Sequence, residues 1–158
     1  HVAKANPHWQ IDLSGPSLAV FQGEQSYIHP GWYPTKAKTG KAVPTWIYVT
    51  VHMHGTLERI NDAGELRRHL DELTAINETG RTEPWQLSDA PADYIEKMSR
   101  AIVGMRMRVT RIEGAWKLNQ HKNEEDHFGV LAGLNESGPA AMAIAASMAQ
   151  ARAIKEKN

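Results

Sequence analysis

The sequence contains no cysteine. That absence removes disulfides, thiolate catalysis and zinc–sulfur sites together, and it suits a reducing, cytoplasmic setting. Charge of neither sign is in excess, with 18 lysines and arginines facing 18 aspartates and glutamates. A chain that lives on phosphate-backbone contacts carries a basic surplus, so composition gives direct DNA binding no support. No run reaches the roughly 18 apolar residues that a membrane span needs. The nearest, Pro139 to Ala149, is rich in alanine and soon meets Arg152. These residues hold no secretory signal pattern either, so Asn77-Glu-Thr and Asn135-Glu-Ser are not read as glycosylation sites. A nucleophile elbow, a phosphate-binding glycine loop and a zinc signature are also missing. No residue stands out as a catalytic acid or base, and no metal site is expected. Internal repeats and low-complexity linkers are absent, and 158 residues suffice for one domain with a real core.

What is present concentrates between Tyr27 and His54. Five of the eleven aromatic residues lie there, as Tyr27, Trp32 and Tyr33, then Trp46 and Tyr48. A loop between the clusters carries Lys36, Lys38 and Lys41. Flat apolar rings beside mobile cations suit a ligand with an aromatic ring system and a phosphate.

Periodicity supplies the frame. Ser17 to Phe21 and Ser26 to Ile28 read as two short extended pieces around Gly23. Val43 to Gly55 reads as the strongest strand. Its odd positions, Val43 to Met53, make an aliphatic face that points inward, while Trp46, Tyr48, Thr50, His52 and His54 make the other. Such a strand belongs in a barrel wall. A helix is expected from Asp62, which forms a capping box with Glu65, and Leu66, Leu70 and Leu73 line its face. A second starts near Asp89 and Pro91, carries Tyr94, Ile95, Met98 and Ile102, and breaks at Gly104. Alternation then returns at Met105, Met107 and Val109, and Glu113-Gly114 reads as the turn of a hairpin to Trp116 and Leu118. Two helices are expected over 123–157, the first with Glu124, Glu125 and Asp126 in its opening turn and the second opened by Pro139. The order is an α+β domain around a mainly antiparallel barrel.

The runs FQGEQSYIHPGWYPTKAKTGKAVPTWIYVTVHMHG, PWQLSDAPADYI and IVGMRMRVTRIEGAWKLNQ resemble the PaiB-type FMN-binding proteins, known as negative transcriptional regulators. The resemblance covers nearly the whole chain, through long and separate motifs (W-Y-P-x-K, V-P-T-W-x-Y, S-D-A-P-A-D, G-x-W-K-L-x-Q). It implies a flavin-reductase-like split β-barrel, related to pyridoxamine-phosphate oxidase, with flanking helices. One such domain would span 1–158, and the first barrel strands would lie ahead of His1. It implies FMN as cofactor, with the phosphate near His1, Lys4 and Asn6. The ring would lie beside Thr45, Trp46 and Tyr48, and Lys117 and Gln120 would close the site. It also implies a homodimer with flavin at its interface, and DNA as a partner through the regulator class alone. The chain departs from the family pattern at His29, Ile47, Asn119 and His121.

Plainer readings stand beside these. Trp46 and Tyr48 suit a dimer interface as well as a flavin wall. Trp32 and Tyr33, beside Pro30 and Pro34, suit the pinning of a loop. His52 and His54 share a strand face and read as a solvated or interface pair, while the acidic run after Asn123 suits a helix start. Arg106 and Arg108 read as a solvated strand face, without a helix-turn-helix pattern nearby. Two other functions remain open: a flavin-dependent oxidoreductase acting on a small-molecule or haem-like substrate, and a cofactor-free dimeric binding module.

Overall fold

The computed structural model describes residues 1–155, so the last two residues of the helical stretch expected over 123–157 lie outside them. Strands β1 (Val2–Ala3), β2 (Ser17–Ile28), β3 (Thr45–Ile60) and β4 (Ile102–Lys117) pair in the order β1-β4-β3-β2. The helices are α1 (Pro34–Thr39), α2 (Ala63–Glu78), α3 (Ala92–Ser99), α4 (Glu124–Glu136) and α5 (Pro139–Lys155). Pairing is antiparallel: Val2 faces Val103 as Ala3 faces Ile102, and Thr50 bonds Phe21 while Tyr27 meets Trp46. The α+β class expected from the sequence is therefore present. None of the described helices is long and apolar enough to cross a membrane.

The chain forms two compact units. One comprises His1–Leu18 and His54–Arg111; the other comprises Ala19–Met53 and the residues from Ile112 onward. The second unit holds the larger core. Ile28, Ile47, Leu118, Val130, Leu134, Ile144 and Met148 are sealed from solvent there. The small Ala141, Ala145 and Ala151 are buried among them, which lets α5 approach its neighbours closely. In the first unit the buried apolar side chains are Leu87 and Val103.

Several local expectations hold. Asp62 caps α2 by accepting from the Glu65 N–H at 2.7 Å, and Asn123 caps α4 by accepting from the Asp126 N–H at 2.8 Å. Only half of the Asp62 capping box forms, because the Glu65 carboxylate pairs with Arg106.

Others are corrected. Residues 17–28 form one strand, with Gly23 packed on Val49. The lysine loop is partly helical: Pro34 opens α1 and Gly40 closes it in the left-handed region at φ 69°. The inward aliphatic face of β3 is also incomplete. Val43 lies outside the strand and is exposed, whereas Thr50 on the opposite parity is buried and donates to the Phe21 carbonyl at 3.2 Å. Asp89 accepts from the Gln86 N–H within the preceding turn, and leaves α3 with no side-chain cap. Gly104 sits inside β4, where a Cβ would come within 2.9 Å of the Ile60 Cβ. Glu113-Gly114 makes no turn, since β4 runs unbroken through it.

Candidate functional site

The second unit assembles the aromatic wall. Trp46 is 53% exposed and meets the half-exposed Tyr27 edge to face, with ring centroids 6.0 Å apart. The Lys117 ammonium donates to the Thr45 hydroxyl at 3.2 Å and lies 5.6 Å from the centre of the Tyr48 ring. Four expected residues, Thr45, Trp46, Tyr48 and Lys117, thus stand on the paired ends of β3 and β4. Gln120 has its amide occupied by the chain itself: it accepts from the Leu118 N–H at 2.9 Å and donates to the Trp116 carbonyl at 2.5 Å. Tyr27 was missing from the expected set. Its place in the aromatic cluster was the available signal, but its meeting with Trp46 depends on the register of β2 against β3.

The first unit carries the remaining expected residues. His1 shares a hydrogen bond with His69 at 3.1 Å. Lys4 is held by its backbone, with its N–H on the Ala101 carbonyl at 2.8 Å and its own carbonyl accepting from the Trp9 indole at 2.9 Å. Its ammonium has no hydrogen-bond partner among the described residues. It lines an open groove of about 440 Å³ together with Trp9, Arg59, Asp62 and Arg100. Arg59 is committed to the carbonyls of Trp9 and Ile11, and Arg100 to Glu96. The Asn6 side chain accepts from the His8 N–H and caps a short turn.

Electrostatics separates the spent charges from the available ones. Arg106 and Arg108 both bond Glu58, and Arg108 above all holds the Glu58 carboxyl below its ordinary value. Lys38 pairs with both oxygens of Glu125. Asp126 accepts from the Thr35 N–H and hydroxyl, so the acidic run after Asn123 helps to fasten α1 to α4. Three of the positions that depart from the family pattern serve packing: Ile47 is in the core, Asn119 donates to the Tyr33 hydroxyl at 3.0 Å, and His29 meets the Trp32 ring.

The donor chemistry fits the group that the resemblance implies. Half-exposed flat rings with a cation beside them suit a heteroaromatic ring system. The unpartnered Lys4 ammonium suits a phosphate.

A family model described as "Putative FMN-binding domain" matches residues 1–111. "Protease synthase and sporulation protein PAI 2" of Bacillus subtilis is 33% identical over 94% of this chain and 70% of its own length. An uncharacterized protein of Aspergillus fumigatus is 30% identical over 99% of this chain and 73% of its own. One of Emericella nidulans is 30% identical over 87% of this chain, which spans 66% of that relative's length. With the motifs, the wall and these likenesses agreeing, the chain belongs to the FMN-binding family of the PaiB type, whose cofactor is FMN.

Proposed function

We propose that this protein is a cytoplasmic, homodimeric flavoprotein of split-barrel architecture whose FMN ring rests on Trp46 and Tyr48. The observation that carries this reading is the Thr45–Lys117–Tyr48 cluster beside the half-exposed Trp46. When bound, FMN supplies reversible electron transfer, and the protein supplies position and polarity. Thr45 holds the Lys117 ammonium beside Tyr48, where a fixed cation would stabilise negative charge on a bound ring. Trp46 offers one half-exposed flat apolar face, braced edge to face by Tyr27, that would exclude water from one side of the ring. Lys4 is assigned to the phosphate by its family motif and by its unpartnered ammonium.

FMN titration followed by quenching of its fluorescence tests the assignment. Lys4→Ala and Lys117→Ala should each weaken binding about tenfold, the worth of one charge-assisted hydrogen bond. Lys38→Ala should change it little, because that ammonium already serves Glu125. Equal effects of Lys4→Ala and Lys38→Ala would remove the phosphate assignment.

The regulator role rests on the family class. Arg106 and Arg108 are paired with Glu58 and so lend direct DNA contact no support. Salt-sensitive retention on one promoter and not on random DNA would establish such contact. Turnover of a reduced nicotinamide with an acceptor would instead move the assignment to an oxidoreductase.

A further inference from the structure

We propose that a second anion site, separate from the flavin wall, lies where the chain turns out of β4 against α4 and α5, and that it takes a small oxyanion of the phosphate class. The site goes beyond the FMN reading and does not depend on it. It is a pocket of about 180 Å³ lined by Leu118, Asn119, Lys122, His127, Arg152 and Lys155, among others, and no carboxylate lines it among the described residues. Lys122 and Lys155 therefore bring two ammonium groups to one small concavity. Like charges held together cost free energy, and apolar walls raise that cost by focusing the field. Leu118 and Met148 supply such walls, each almost fully buried.

The plain account of these cations is helix electrostatics: Arg152 and Lys155 fall in the last turn of α5, where positive charge is favoured. That account does not reach Lys122, which enters from the turn after β4 and lies 4.6 Å above the Tyr33 ring. It has no carboxylate partner among the described residues. Asn119 holds φ 58°, a left-handed conformation that asparagine adopts more readily than other residues with a side chain, and its amide donates to the Tyr33 hydroxyl. That conformation carries residues 118–122 round the pocket. Lys155 closes the lower side, where it donates to the Gln120 carbonyl at 3.1 Å. Two ammonium groups from separate segments, beside a buried histidine in a small pocket, suit phosphate chemistry.

The test titrates inorganic phosphate into the full chain carrying Lys4→Ala, so that the flavin phosphate position contributes nothing, with heat as the readout. Saturable binding is expected. Lys122→Gln removes the ammonium and should weaken it about tenfold. Lys155→Gln is a second variant that leaves the Tyr33 contact untouched, and it should act in the same direction. Lys97→Ala, in α3, should do nothing. Glycerol phosphate run alongside distinguishes an ester from the free ion by which of the two binds more tightly. FMN affinity, measured in a Lys122→Gln chain that retains Lys4, should match the parent. Absence of saturable phosphate binding would overturn the proposal, as would unchanged binding in both lysine variants. Joint loss of phosphate and FMN binding on Lys122→Gln would overturn the separateness of the site.

Discussion

Tyr33 shows how much one side chain can bear. It is 2% exposed, its hydroxyl accepts from Asn119, and the Lys122 ammonium stands over its ring. Burial pushes its hydroxyl above the ordinary value of 10.0, nearby Asp126 adds to the rise, and the Asn119 hydrogen bond opposes it. In the unfolded chain this proton leaves near pH 10, while the folded chain retains it to higher pH. Its contribution to stability is thus full below the unfolded value and is lost as pH rises toward the folded one. Tyr33→Phe should cost about 1–3 kcal/mol in urea denaturation at neutral pH, since it leaves the buried Asn119 amide without its acceptor. It should also flatten the alkaline loss of stability, and an unchanged alkaline limb would assign that loss to another group. The sequence displayed Tyr33 plainly but not its partner 86 positions away. The same holds at Ile47 and His29: a sequence names the residue that departs from a pattern, and only packing tells what the departure does.

At the level of elements, caps were legible because they are local. Asp62, Asn123 and Pro139 start helices through chemistry contained in three or four residues. For α1 the signals were also in view, a proline at the start and a glycine at the end. Glycines inside strands misled, because Gly114 and Gly23 resemble turn punctuation while cross-strand pairing keeps the chain extended. Two glycines of α4 follow the same non-local logic. A Cβ at Gly129 would run into the Trp32 carbonyl and one at Gly133 into the Trp32 indole. Trp32 therefore does pin its loop, through a helix that must be bare at both places. Alanine at Gly129 would gain helix propensity of up to about 1 kcal/mol. Overpacking against backbone, which cannot rotate away, costs about 1–3 kcal/mol. The net expectation for Gly129→Ala is a lower melting temperature, whereas Gly15→Ala, with nothing near its Cβ, should be close to neutral. A Gly129→Ala protein that melts at or above the parent would show that α4 shifts freely.

On the scale of the whole molecule, the family and the α+β class were readable from long motifs. The assembly of the aromatic wall was less so, since strand register decides which rings meet. Exposed apolar surface is where a partner would act. The first unit buries few apolar side chains, while Ile76, Tyr94 and Met98 stand more than half exposed. In the second unit Val20, Phe21 and Trp46 do the same. Apolar residues of this kind mark a partner surface where they adjoin in one patch, and a partner that binds only the folded form raises stability by mass action. The homodimer reading therefore predicts a melting temperature that climbs with protein concentration, and a sedimenting mass twice that of the chain. If the dimer closes over the flavin wall, Trp46→Ser should act on both properties at once. It should flatten the concentration dependence and weaken FMN binding about tenfold, the upper range for one aromatic contact. A concentration-independent melt at monomer mass would remove the dimer. Loss of FMN affinity with dimerisation intact would instead place Trp46 on the cofactor but outside the subunit contact.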